Sequence, residues 1–207
     1  MSKKKVKKRS GAMMGRSDIP YAQRLKMRHQ SDIIGNREQA AKIYMYCLCV
    51  AIHAREGVGY KRLVPFSMYF MELIKEFYAD ISVGMAHAKR RLSQIGIEVT
   101  GDFFSVKLPG ATAKEQQIHD HALQAVQAAQ YCAAVAMHDV FGFAQMRQER
   151  LREDVKELTA RYAKEGEGFL LEAMAEIGFK VEGNNVQAFI EDDGTPVLPR
   201  KWKEVQQ

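Results

Sequence analysis

Two histidines stand out among the residues that could do acid–base chemistry. His53 and His138 each end an apolar run and are followed four residues later by a glycine, Gly57 and Gly142. An imidazole there could move a proton, ligate a metal, or cap the last turn of a helix, where free carbonyls and the helix dipole favour a donor. The placement at a helix end fits the capping role best. His119 and His121 flank Asp120, but residues two apart on a helix do not share a face, so they make a poor chelate. Glu191, Asp192 and Asp193 could hold a divalent cation, as in a nuclease, yet Gly194-Thr195-Pro196 follows, and a polar turn is the simpler reading. Cys47, Cys49 and Cys132 are an odd set in apolar surroundings, which suits reduced, buried thiols better than a disulfide framework. Cys47 and Cys49 also point to different faces of a helix, against a metal site. No HExxH, paired CxxC, Walker loop or nucleophile elbow occurs, so the chain reads as non-enzymatic, with neither cofactor nor metal.

The chemistry that the residues do favour is cationic. The formal charge of +6 is unevenly spread: residues 1–30 hold ten Lys or Arg against the single Asp18, and the remainder carries 21 basic residues against 24 acidic ones. Lys3, Lys4, Lys5, Lys7, Lys8 and Arg9 lie in close succession in a segment with too little apolar content to pack, which predicts a mobile basic arm. Such an arm attracts polyanions. Residues 37–108 carry ten basic against seven acidic residues, whereas 114–207 carry eleven against sixteen. A nucleic acid would therefore prefer the arm and the first half. Lys61 and Arg62, just beyond Gly57-Val58-Gly59, and Lys89, Arg90 and Arg91 are the candidate contacts there. Trp202, between Lys201 and Lys203, could stack on a base or pin the C-terminal tail to the core.

The elements that must position these groups recur. Gln39, Ala40, Tyr46, Cys47, Val50, Ala51, His53, Gly57 and Arg62 reappear, at one constant offset, as Gln124, Ala125, Tyr131, Cys132, Val135, Ala136, His138, Gly142 and Arg147. A gapless duplication is the simplest explanation. Asp18 to Gly35, with Pro20 near the start of a short helix, leads into the first copy. Ile43, Cys47, Val50 and Ala54 then mark one face of helix A from Gln39, with Ala128, Cys132 and Val135 in its duplicate. Helix B follows with Phe66, Phe70, Leu73 and Phe77, or Leu151, Val155, Leu158 and Tyr162. Breaks at Asp80 to Ser82 and at Gly166 to Gly168 precede helix C, which carries Met85, Ala88, Leu92 and Ile95, or Leu170, Met174 and Ile177. Gly96 and Gly178 end it. Thr100-Gly101-Asp102 and Glu182-Gly183-Asn184-Asn185 lie between apolar runs and signal tight hairpins. The predicted fold is mainly α with two short β-hairpins, a tandem duplication of a helix-helix-helix-hairpin unit. Its parts are an arm and lead-in (1–35), copy one (36–110), copy two (111–193) and a tail (194–207).

Phe66 to Leu108 resembles, in its order of elements, a winged helix-turn-helix domain. The resemblance implies that helix C of copy one, with Ser82, His87, Lys89, Arg90 and Arg91, faces a DNA groove and that the hairpin forms the wing. Copy two has Glu165, Glu167, Glu172 and Glu176 in that region, suited to dimerising, bracing copy one or binding a protein. Gly57-Val58-Gly59 resembles the turn of helix-hairpin-helix modules, although a tight helix connection without a ligand explains it more simply. His138-Asp139-Val140-Phe141-Gly142-Phe143, after an alanine-rich helix and before Arg147 and Arg150-Leu151, resembles a motif of small helical proteins encoded by bacterial prophages, with Ala144 where that pattern has glycine. This implies a mobile-element context and nothing about catalysis.

The sequence as a whole predicts a non-enzymatic nucleic-acid-binding protein, with DNA the favoured partner, acting through the arm and copy one. The alternative is a homo-oligomeric or host-protein-binding helical interaction module of phage origin, with copy two as the surface for a homodimer or a host protein. No apolar run approaches the roughly 20 residues that cross a bilayer, and no apolar stretch follows the basic start, so a cytoplasmic location away from membranes is expected.

Overall fold

The computed structural model describes residues 21–99, 109–183 and 185–188. It is mainly helical: α1 (Tyr21–Glu56), α2 (Tyr60–Ala79), α3 (Ile81–Gln94), α4 (Ala113–Phe141), α5 (Gln145–Glu165) and α6 (Gly168–Ile177) precede one antiparallel hairpin, β1 (Lys180–Glu182) and β2 (Asn185–Gln187). Glu182 pairs with Asn185 across a two-residue turn entered by Gly183 at φ +57°, a backbone that glycine adopts without strain. Of the other expected hairpin, Ile97 to Val99 form no strand, and residues 100–108 lie outside the described residues. The arm, Asp192-Asp193 and Trp202 lie outside them too. None of the described helices is long and apolar enough to cross a membrane.

The long helices α1 and α4 run side by side in the same direction. His29 meets Gln117 at 2.8 Å and Arg37 meets His121 at 2.6 Å near their starts, while Glu56, at the end of α1, lies 3.8 Å from Arg147, just past the end of α4. In its central stretch α1 is buried on every side, at Tyr46, Cys47, Leu48, Cys49, Ala51 and Ile52, and α4 likewise from Cys132 to Met137. A helix apolar all round must be enclosed by others. Here α5 and α6 close over α1, whereas α2 and α3 close over α4. Each pair of shorter helices thus covers the long helix of the opposite half, and α1 touches its own successor α2 only lightly. The main hydrophobic cluster extends from Ala41 to Phe179 and draws on α1, α2, α4, α5 and α6.

Helix ends follow local chemistry. Thr112 starts α4 with a reciprocal capping box: its hydroxyl accepts from the Glu115 amide at 3.3 Å, and the Glu115 carboxylate accepts from the Thr112 amide at 2.8 Å. Gly142 ends it at φ +70°, its amide donating to the His138 carbonyl at 2.8 Å. Gly178 closes α6 in the left-handed region, and Gly96, at φ +67°, lies just past α3.

Two boundaries differ from the expected ones. The lead-in and helix A are one 36-residue helix that passes through Gly35. A glycine inside a helix costs roughly 1 kcal/mol relative to alanine, but Gly35 faces open space while its neighbours Asp32 and Arg37 reach Lys114 and His121 on α4. The contacts with α4 outweigh the local cost. Second, the break between α2 and α3 is Asp80 alone rather than Asp80 to Ser82. Its Oδ1 accepts from the Val83 amide at 3.2 Å, so one capping residue ends α2 and starts α3.

The helical faces read from spacing are largely those buried. Phe66, Phe70 and Phe77 of α2, Leu151 and Val155 of α5, and Leu170, Met174 and Ile177 of α6 are core. Ala54 is exposed, and Ile95 falls beyond the end of α3.

Candidate functional site

The candidate site is the outer face of α3 together with the C-terminal end of α4. Asp80 begins α3, and Gly84 lets it approach α2 so closely that a Cβ there would lie 2.8 Å from the Cα of Phe77. At its far end Leu92, with Ile97 just beyond, packs on Ala134 and Val135 of α4. With the apolar side anchored on both neighbours, Lys89, Arg90 and Arg91 are exposed to solvent.

The three cations are not equivalent. Lys89 Nζ lies 5.9 Å from the centroid of the Tyr131 ring, at the reach of a cation–π contact. Arg91 Nη2 donates to Asp139 Oδ2 at 2.9 Å, and this hydrogen bond, aided by the Asp139 charge, raises the Arg91 pKa against the opposing effect of desolvation. Arg90 is exposed.

Asp139 is a hub. Besides Arg91 it accepts from the Tyr69 hydroxyl at 3.0 Å and from His138 Nδ1 at 3.0 Å. Burial alone would raise its pKa, but the hydrogen bonds from His138, Arg91 and Tyr69 outweigh burial and hold the carboxyl below its ordinary value. The α3 cations therefore stand beside a carboxylate that neutralises one of them. A carboxylate with three donors is a structural tie among α2, α3 and α4.

Arg62 reaches the same helix end. Its guanidinium lies 5.2 Å from the Phe141 ring, which also packs on Phe66 and Phe143 at 5.1 Å each. Arg147 lies over Phe143 at 5.4 Å. The structure thus brings Arg62 and Arg91, predicted from separate motifs, to one end of α4, and adds Arg147. Lys61 is exposed at the start of α2. Lys3, Lys4, Lys5, Lys7, Lys8 and Arg9 lie outside the described residues.

In the Gly57-Val58-Gly59 turn, Gly57 takes φ +64°, Val58 is buried, and the Val58 carbonyl accepts from His53 Nδ1 at 3.0 Å. His53 therefore ties the turn to the helix end. Among the described residues no three His, Cys, Asp or Glu side chains converge as a metal site. The cysteines are unpaired and buried, and burial pushes Cys47 up to about 11 and Cys49 and Cys132 up to about 12. Buried thiols held neutral are poor nucleophiles.

Sequence reasoning missed Tyr69 and the role of Asp139. Asp139 was visible within the His138–Phe143 motif, but its partners lie 48 and 70 residues away, a distance that no local pattern encodes. The acidic residues of the second half are partly paired as well: Glu165 with Arg161 at 2.8 Å, and Glu167 with Lys42 at 3.8 Å.

Comparisons with protein-family models, with curated proteins and with solved structures give no match to this chain.

Proposed function

We propose that this is a non-enzymatic nucleic-acid-binding protein of mobile-element character, which engages the polyanion through its basic arm and the first half. The observation that carries this reading is the exposure of Lys89, Arg90 and Arg91 on a helix whose apolar side is anchored to α2 and α4. Lys89 and Arg90 supply phosphate contacts, Arg91 supplies one only on leaving Asp139, and the arm adds affinity with little sequence selectivity. In the winged-helix reading α3 is the recognition helix, and the helix that completes its packing is α4, from the other half, rather than α1.

Fluorescence anisotropy on random duplex and single-stranded DNA over a salt series tests the proposal. The intact chain is compared with a chain lacking residues 1–20 and with Lys89/Arg90/Arg91→Ala. Affinity should fall in both variants, and the slope of log K against log salt should flatten by about 0.9 for each duplex phosphate that the variant no longer neutralises. Binding that vanishes with the arm and ignores the α3 triplet would sink the assignment to α3.

We also infer that the chain arose by duplication. What supports this is the correspondence of packing at the sequence offset: Arg62 packs on Phe141 as Arg147 pairs with Glu56, and α2 and α3 cover α4 as α5 and α6 cover α1. The rival reading, a dimerising or host-protein-binding module, draws on the exposed acidic residues Glu172 and Glu176 of α6. Light scattering across concentration addresses it: a persistent monomer that captures no partner counts against it.

A further inference from the structure

A cleft lies between α1, α4 and α5. It has a volume of about 750 Å³, inside the roughly 300–1,000 Å³ range of small-molecule sites. Ile43 and Tyr44 of α1, Val126 of α4, and Val155 and Tyr162 of α5 form its apolar wall. The polar groups are asymmetric: Arg152 and Lys156 stand one turn apart on α5, and Glu153 is the single acidic side chain among the described lining residues.

Arg152 is the distinctive group. Its Nη2 donates to the Glu98 carbonyl at 2.9 Å, which fixes the guanidinium at the cleft. Its Nε is buried and has no hydrogen-bond partner among the described residues. That atom is closed off from the cleft as well as from solvent, so a ligand would meet the guanidinium at its Nη donors, and a carboxylate is the acceptor that a guanidinium binds most strongly. Burial holds the Tyr44 phenol well above its ordinary pKa despite the nearby Arg152 charge, so that wall carries a neutral hydroxyl and no competing anion.

We propose that this cleft binds a small amphiphilic carboxylate, its headgroup paired with the Nη side of the Arg152 guanidinium and its apolar body on Ile43, Val126 and Val155. The Arg152 cation and the apolar wall together select this class. An inorganic anion would leave the wall unused, and a neutral apolar molecule would leave the Arg152 charge unused.

Isothermal titration calorimetry on the intact chain tests this with three probes: decanoate, decan-1-ol, which keeps the chain without the charge, and acetate, which keeps the charge without the chain. Decanoate should bind saturably at one site, decan-1-ol at least tenfold more weakly, and acetate without detectable heat. Arg152→Gln should weaken decanoate at least tenfold, and Ala122→Trp, which places bulk in the cleft from the α4 side, should abolish binding. Circular dichroism melts show whether each variant is folded; since Arg152 also holds the Glu98 carbonyl, Ala122→Trp carries the test if Arg152→Gln unfolds. No saturable decanoate binding, equal binding of decan-1-ol, or binding that Ala122→Trp leaves unchanged would each overturn the proposal.

Discussion

Asp139 shows how one side chain can serve the fold while restraining the proposed function. Its carboxylate holds Tyr69, Arg91 and His138, so the charge that ties α2 and α3 to α4 is taken from the cationic face. Asp139→Asn removes a negative charge and releases Arg91. Affinity for duplex DNA should therefore rise several-fold at low salt, with the salt slope steeper by the equivalent of about one phosphate; anisotropy with Asp139→Asn and the double variant Asp139→Asn/Arg91→Ala separates release of Arg91 from the change in net charge. The same substitution has a pH signature. Because the folded carboxyl titrates below its ordinary value, its contribution to stability is complete above the unfolded pKa of about 3.9 and is lost as pH falls through the lower folded value. The wild type should thus lose more stability than Asp139→Asn on acidification below about pH 4. The pairs are exposed, so the difference should be no more than about 1 kcal/mol, measured by urea unfolding at each pH.

At the scale of elements, the α2–α3 corner depends on one missing side chain. In an exposed helix Gly→Ala is favourable by roughly 1 kcal/mol. At Gly84 a Cβ would lie 2.8 Å from the Phe77 Cα and 2.9 Å from its carbonyl oxygen, both backbone atoms that cannot rotate away. Overpacking of this kind costs about 1–3 kcal/mol, so the clash should win. Gly84→Ala should lower the melting temperature and, by displacing α3, weaken DNA binding together with it; a variant that melts higher than wild type would show that α3 approaches α2 less closely. The helices themselves were legible. The spacing of Phe66, Phe70 and Phe77, and the glycines at 57, 96, 142 and 178, mark the stripes and ends that the structure shows, because periodicity and left-handed turns are local properties. Continuity through Gly35 was not legible, since the cost is local and the compensating interactions with α4 are distant.

For the molecule as a whole, the decisive feature is the exchange of partners between halves. Since α5 and α6 cover α1 while α2 and α3 cover α4, neither half encloses its own long helix. A chain cleaved at a protease site inserted between residues 99 and 109 should remain one particle on size exclusion and melt in a single transition. Two transitions, or two separable fragments, would show that each half is an independent folding unit. The mutual burial of Cys47, Cys49 and Cys132 follows from the same exchange. Cys47 and Cys49 lie on different faces of α1, and both are buried because partners close over it from more than one side.

The sequence by itself determined the order of the helices, most of their ends, the buried stripes, and the division of charge between a basic start and an acidic second half. These depend on residue type and spacing over a few turns. Only the tertiary structure decided which helix covers which, that Arg62 and Arg91 meet at the end of α4, that Asp139 engages Arg91, and that Arg152 stands at an apolar cleft. Each of these joins residues far apart in the chain, and such pairings are fixed by the enclosure of two central helices that are apolar on all sides.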